Sequence, residues 1–410
     1  MAAVPDEPTD PMPQDAEPPN EPGVFVDSLS LTGFRNYAHV QLHVDRGPVV
    51  LIGDNGAGKT NLLEAVSLLA PGQGLRRAPS VDFAAASGDG TWAVSAQVNS
   101  RLGSVRIGTG ITAAELARGG ERRANRIVRI DGETRRSSTV LADYVDAVWL
   151  TPAMDGLFVG PAAERRRFLD RLVLCFDPAF KTLPGQFEKA MQNRNKLLAL
   201  GTTDPSQFAA FERVMAEAGT AIAAARNDTL AALTTIVFER RERDLASPFP
   251  WAEIKTTGTL ELALADNSAA DVEDDYFARL AQGRARDAAA GRTLEGPHRS
   301  DIAVAHGPKE ISAHLCSTGE QKALLLGLVL AQTELIARRH EGAAPLLLLD
   351  EITAHFDRDR RAALFAEIVR LGAQAWMTGT DLSAFEAIAP LATVVQVAEA
   401  RLTVSDDMAV

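Results

Sequence analysis

The string Gly53-Asp54-Asn55-Gly56-Ala57-Gly58-Lys59-Thr60 fits the pattern GxxxxGK[ST], and its surroundings narrow the fold more than any other part of the chain. Before it runs the apolar stretch 49–53. After it Leu62, Leu63, Val66 and Leu69 recur at helical spacing until Pro71-Gly72. Strand, glycine-rich loop, helix is the order that makes a phosphate-binding loop. Glycines let backbone N–H groups converge on phosphate oxygens at the positive end of the helix. Lys59 is expected to reach the β/γ-phosphates and Thr60 to ligate Mg²⁺, with Gly53, Asp54, Asn55, Gly56, Ala57, Gly58 and Asn61 completing the contact stretch for ATP.

A second apolar run, Leu346–Leu349, ends in Asp350-Glu351, which puts two carboxylates at the C-terminal end of a buried strand, where open α/β sheets bind ligands. Alone, this could be a polar strand end. Beside a phosphate loop it reads as a Walker B pair, with Asp350 holding Mg²⁺ and Glu351 orienting or deprotonating the attacking water. Ser317-Thr318-Gly319-Glu320-Gln321-Lys322 precedes a helical run at 323–337 and resembles an ATP-binding-cassette signature. The same residues also read as a capped helix start, with Ser317 or Thr318 as cap. The order of phosphate loop, long insertion, signature and Walker B favours the cassette. Asp357, in Ala354-His355-Phe356-Asp357, matches the D-loop position, although His355 and Phe356 depart from its commoner residues. Thr380, in Trp376-Met377-Thr378-Gly379-Thr380-Asp381, stands where cassettes usually carry a γ-phosphate-sensing histidine.

The remaining sequence sets the architecture. A chain of 410 residues suggests two lobes. The net charge of −12 would argue against nucleic acid, but six acids and no bases fall within residues 1–22. That proline-rich segment, extended to 1–23, is expected to be disordered. Residues 24–160 read as the N-terminal part of an ATPase head, with strands alternating around Leu29/Leu31, Val40/Leu42, Val94/Ala96/Val98 and 127–130 in a β-meander. Residues 161–292 read as an inserted helical lobe, with helices near 187–200, 207–241 and 271–290 and a strand-like stretch at 254–264. Residues 293–405 return to the head. No apolar stretch approaches the ~20 residues of a membrane span. Two cysteines, Cys175 and Cys316, cannot build a disulfide framework, so a cytoplasmic setting without membrane partners is expected.

Some 258 positions separate Lys59 from Ser317. With the strings Leu31-Thr32-Gly33-Phe34-Arg35-Asn36-Tyr37, 152–170 (including Arg165-Arg166-Arg167) and Gly296-Pro297-His298-Arg299-Ser300-Asp301, the motifs cover most of 29–387 and resemble those of the RecF family. That is a family of bacterial DNA replication and repair proteins within the SMC/ABC-type ATPase superfamily. The resemblance implies an α/β fold: an ABC-type P-loop head with a mixed sheet, an antiparallel meander and an inserted helical lobe. It implies a head-to-tail homodimer glued by ATP, in which Ser317 and Gly319 close over the γ-phosphate held by the other copy. Hydrolysis by a weak ATPase would release that dimer. It further implies binding to gapped, single-stranded and double-stranded DNA, RecR and RecO as partners, assistance in RecA loading, and a place in the SOS response.

Independently of the resemblance, segment 101–136 holds nine arginines against Glu115, Glu121, Asp131 and Glu133, a composition suited to a phosphate backbone or to a solvated surface. Two other readings stay open. One is an ABC-type ATPase coupled to a protein partner, which leaves the insertion unexplained. The other is a scaffold in which ATP is structural, which leaves Glu351 without a task.

Overall fold

The computed structural model describes residues 23–119, 124–135, 137–353 and 356–405. The acidic segment 1–22, Arg122, Arg123 and Arg136 of the basic stretch, and Ala354 and His355 of the D-loop string lie outside the described residues.

Alternating apolar residues in the first third of the chain build one antiparallel sheet. Its strands are β1 (Phe25–Phe34), β2 (Tyr37–His43), β4 (Trp92–Ser100), β5 (Gly103–Ile111), β6 (Ile127–Ile130) and β7 (Glu133–Arg135), in the order β2-β1-β4-β5-β6-β7. The inner face buries Leu29, Leu31, Val94, Ala96, Val98 and Ile107, the residues whose period-two spacing marks them in the sequence.

The second sheet is assembled from distant parts of the chain. It contains β3 (Val49–Ile52), β8 (Ala147–Leu150), β12 (Leu346–Leu349), β13 (Ala375–Gly379), β14 (Thr393–Ala398) and β15 (Arg401–Val404), ordered β15-β14-β3-β13-β12-β8. All pairings are parallel except β14 with β15. Strands buried on both faces need continuous apolar runs, which is why β3 and β12 read VVLI and LLLL. Val49, Leu51, Leu346, Leu348 and Trp376 pack toward the antiparallel sheet, around Leu62, Leu63 and Val66 of α1 (Lys59–Ser67). Val50, Ile52, Leu347, Leu349 and Met377 pack on the opposite side with the helices. Each such side chain contributes roughly 1.5–3 kcal/mol of burial.

The short α2 (Ala113–Gly119) interrupts the meander and was not apparent from periodicity. The lobe then follows as α3 (Ala162–Phe176), α4 (Leu183–Ala199), the 39-residue α5 (Pro205–Arg243), α6 (Thr259–Ala263), α7 (Ala269–Gln282) and α8 (Arg284–Ala290). Two expectations are corrected. Stretch 254–264 is not one strand: β9 (Ala252–Thr256) stops before Gly258, the N-cap of α6, whose Cβ-free position lets Glu261 Oε2 and Ser300 Oγ approach. Helix 271–290 is broken into α7 and α8 at Gly283. β9 pairs with β10 (Ile302–His306), which pairs with β11 (Ile311–Ser312), so a three-stranded sheet spans segments 161–292 and 293–405. The chain returns through α9 (Thr318–Arg339) and α10 (Arg358–Leu371).

Candidate nucleotide site

β13 lies between β3 and β12, so the ends of three parallel strands converge: Ile52 pairs with Gly379, and Met377 with Leu349. The phosphate loop, Thr380 and the Asp350-Glu351 pair therefore meet at one sheet edge. Gly53, Gly56 and Gly58 hold φ of 155°, 84° and 118°. At Gly53 a Cβ would lie 2.1 Å from the Val397 carbonyl oxygen, and at Gly58 2.6 Å from Asn36 Nδ2 and the Tyr37 hydroxyl, so neither position admits another residue.

Lys59 is buried, and its Nζ donates to the loop carbonyls of Gly53 at 2.5 Å and Asp54 at 2.8 Å. Burial lowers its pKa, opposed by Glu351, Asp350 and Asp54. The Thr60 hydroxyl donates to Asp350 Oδ1 at 3.0 Å, which joins the two motifs across 290 positions of sequence. That same Oδ1 accepts from Thr378 Oγ1 at 2.8 Å, and Thr378 Oγ1 accepts the Glu351 N–H at 2.7 Å. Asp350 is buried, while Glu351 is exposed with φ 51°, a left-handed conformation unusual for its side chain. Glu351 is near enough to Lys59 for its charge to raise the lysine pKa. Asp54, Asn55, Gly56 and Thr380 are exposed around it, and Ala57 is half-buried. Asn61 donates to Asn36 Oδ1 at 2.8 Å and accepts from Arg76, and Asn36 in turn donates to the loop carbonyl of Ala57 at 3.2 Å.

Ser317 caps α9 in a full capping box, its Oγ accepting Glu320 N–H at 3.4 Å while Glu320 Oε2 accepts Ser317 N–H at 2.9 Å. Among the described residues neither Ser317 nor Gly319 bonds to the phosphate loop of its own chain. One turn onward, the buried Lys322 donates to the Glu351 carbonyl at 3.2 Å and approaches Asp155 at 3.9 Å. Asp357 caps α10 by accepting Arg360 N–H at 2.9 Å.

Thr378 and Lys322 stand in the strings 376–381 and 317–322, but sequence reasoning gave neither a task, because the partners they meet lie far away along the chain. Cys316 is buried, its thiol pKa raised by desolvation, and no disulfide forms. Arg165 pairs bidentately with Asp301 at 2.8 Å, and Arg166 donates to the Ser300 carbonyl, so these arginines tie 152–170 to 296–301 instead of pairing along their own helix. His298 lies against Phe187, ring centroids 5.5 Å apart and tilted by 34°, and meets the Thr293 carbonyl at 3.1 Å, while burial lowers its pKa and its Nδ1 is buried without a hydrogen-bond partner.

In the basic stretch, Arg101 binds Asp146, and Arg126 binds the Leu68 and Gly72 carbonyls. Arg118 pairs with Glu115 and Arg135 with Glu133. Arg106 and Arg129 remain exposed on adjacent strands, beside a shallow groove of about 290 Å³ along Gly108 and Gly110.

A phosphate loop facing an Asp-Glu strand end in a parallel sheet, flanked by a meander and split by a helical lobe before a capped signature helix, defines an ABC-type ATPase head. A family profile described as RecF/RecN/SMC N terminal domain matches residues 25–402. The chain is 52% identical over 363 residues to the DNA replication and repair protein RecF of Mesorhizobium japonicum, covering 88% of this chain and 93% of that one. It is 50% identical to the protein of that name from Rhizobium johnstonii, over 92% and 98% of the two chains. A solved structure of the recombination mediator protein RecF-ATPrS in the RecFOR pathway superposes with TM-score 0.79 at 21% identity, covering 93% of this chain and 98% of that one. An SMC head with an extended coiled coil from Pyrococcus furiosus aligns at TM-score 0.51 and 16% identity, over 93% and 96%. The chain belongs to the RecF family of DNA replication and repair proteins.

Proposed function

We propose that this chain is an ATP-dependent DNA-binding protein of recombinational repair and replication restart, working in the cytoplasm as an ATP-induced homodimer. The observation that carries this reading is the contact between Thr60 and Asp350, completed by Thr378 and Glu351, in a chain whose Ser317 and Gly319 find no partner in its own phosphate loop. A head-to-tail pair supplies them: Ser317 and Gly319 of a second copy close over the γ-phosphate next to Lys59, with Asp357 at the interface and Thr380 at the phosphate.

The oxygens of Thr60 and Asp350, 3.0 Å apart, suit a small hard cation, and among the described residues no cluster of three His, Cys, Asp or Glu side chains competes for one. Bound there with ATP, Mg²⁺ would offset charge developing on the transferred phosphoryl group. Lys59 leaves its loop carbonyls for the phosphates, Glu351 orients the attacking water, and the Glu351 N–H held by Thr378 fixes the carboxylate's approach. Hydrolysis is slow and releases the dimer.

DNA is the favoured partner, in gapped, single-stranded and double-stranded forms. Exposed Arg106 and Arg129 on one sheet face support backbone contact. The RecFOR pathway named for the similar solved structure fits RecR and RecO as partners, and RecA loading and a role in the SOS response are what the family resemblance implies. No helix among the described residues is long and apolar enough to cross a membrane. Light scattering of Glu351→Gln at saturating ATP and Mg²⁺ tests the reading: a stable dimer is expected, and a monomer would contradict it.

A further inference from the structure

Lys322 stands in the second turn of α9, only 3% exposed, in a run of buried residues that continues through Ala323, Leu324, Leu325 and Leu326. Burying an ammonium is costly unless its N–H groups are satisfied, and a methionine or leucine would fill the same space without that cost. Its partners are few. Among the described residues Nζ donates to one acceptor, the Glu351 carbonyl at 3.2 Å, and the carboxylate oxygen Asp155 Oδ2 lies 3.9 Å away, outside hydrogen-bond range. Glu320, two residues earlier, is occupied by the Ser317 N–H and by Lys309. Asp155 Oδ1 is itself buried with no hydrogen-bond partner. A buried charge so sparsely satisfied adds little to the fold, and the carbonyl it does hold supplies another account of it.

Glu351 has φ 51°, a sparsely populated conformation for a residue with a Cβ, and such strain persists only where the surroundings over-determine it. Both backbone polar groups of Glu351 are held. Thr378 Oγ1 accepts its N–H at 2.7 Å, and Lys322 Nζ donates to its carbonyl at 3.2 Å. The two anchors come from different elements, β13 and α9. Asp155 comes from a third place: the Asp350 N–H bonds the Leu150 carbonyl at the end of β8, so the turn that follows β8 lies beside the same strand end. Without the carbonyl anchor the backbone at Glu351 is free to relax toward the right-handed region that its Cβ prefers. That rotation swings the Cα–Cβ bond, and the carboxylate moves with it.

We propose that Lys322 is a positioning residue: its ammonium, oriented by Asp155, holds the Glu351 carbonyl so that the left-handed bend persists and the carboxylate stays where it can orient the attacking water. The task of the carboxylate rests on the function proposed above, whereas the anchoring of the bend does not. The proposal also gives Asp155, in the string 152–170, a place beside the nucleotide site.

Two measurements on full-length Lys322→Met, a substitution of similar length that suits a helix, test the two halves of the proposal. Hydrogen exchange at the Glu351 amide reads the anchor without nucleotide. It should be severalfold faster than in the parent, while amides elsewhere in α9 and β12 keep parental rates; parental exchange at Glu351 would overturn the proposal. Steady-state ATP hydrolysis reads the consequence. There kcat should fall roughly ten- to a hundredfold, the scale on which a misplaced catalytic group is felt, with KM and the affinity for mant-ATP within about twofold of the parent. An unchanged kcat would overturn the positioning role. So would a fall in kcat matched by an equal loss of mant-ATP affinity and a lowered melting temperature, which marks a merely structural lysine. Asp155→Asn, at a half-exposed position, keeps the test open should Lys322→Met fail to fold: it should speed exchange at Glu351 and lower kcat in the same sense, and parental values of both would equally overturn the proposal. A parent chain without ATP turnover would contradict the function proposed above and leave the exchange measurement to decide the anchor.

Discussion

Thr378 shows what a single residue contributes when two motifs meet. It donates to Asp350, accepts from Glu351 N–H, and stands on the strand between the phosphate loop and Walker B strands. Thr378→Val keeps the shape but leaves the Glu351 N–H unsatisfied, a loss of about 1–3 kcal/mol that, if felt in the transition state, should appear as a roughly 5- to 150-fold fall in ATP turnover. Steady-state ATPase assays with unchanged far-ultraviolet circular dichroism would check it; normal turnover would remove Thr378 from the site. That the phosphate-loop and Asp350-Glu351 strings would meet at one strand end was legible because GxxxxGKT and LLLLDE are each contiguous in sequence. Thr378, Lys322 and the Arg165–Asp301 pair were not, since their partners become neighbours only after crossovers that place β13 between β3 and β12. At the buried end of the scale, Arg194 is fully enclosed and bonds Glu212, Asp287, Thr293 and the Leu280 carbonyl. Arg194→Met strands carboxylates in the lobe and should cost ~3–5 kcal/mol in urea unfolding. A loss below about 1 kcal/mol would mean water reaches this network.

Among the elements, the helices α5, α9 and α10 are held together by charge as well as by apolar packing. Burial pushes the Glu334 carboxyl up, but Arg243, Arg338 and Arg370 outweigh it and hold the pKa at about 2, against an ordinary 4.5. An acid depressed on folding stabilises above its unfolded pKa, and that contribution fades as pH falls from 4.5 toward 2. Glu334→Gln should flatten this part of the acid-unfolding curve, and a curve identical to that of the parent would show the arginines satisfied elsewhere. The helices themselves were readable from periodicity, including α4, α5 and α9 within a few residues. What failed were the short pieces: α6 after β9, the break at Gly283, and α2. Local spacing cannot distinguish a strand that turns into one helical turn from a longer strand, because three or four residues satisfy either period. Ser317 illustrates a different ambiguity: the capping reading holds, and the same hydroxyl that caps α9 is exposed at its positive end, which leaves the signature role a proposal.

For the whole molecule, the sequence order of motifs foretold a split head, and the second sheet realises it by gathering strands from both ends of the chain around β3. The count of arginines in 101–136 foretold less, because among the described residues Arg101 and Arg126 serve the fold while Arg106 and Arg129 are exposed. Arg106→Glu/Arg129→Glu should weaken DNA binding uniformly across sequences and reduce the slope of log affinity against log salt by about 2. An unchanged slope would move the DNA interface to another face. The central claim is that ATP held by Lys59 closes two copies on DNA. Its most direct test is fluorescence anisotropy of a labelled gapped duplex titrated with the protein, with and without ATP and Mg²⁺, beside Lys59→Met, at two salt concentrations. ATP-dependent, salt-sensitive binding that Lys59→Met abolishes is the predicted result; binding indifferent to ATP and to Lys59, or no binding at either salt concentration, would contradict it.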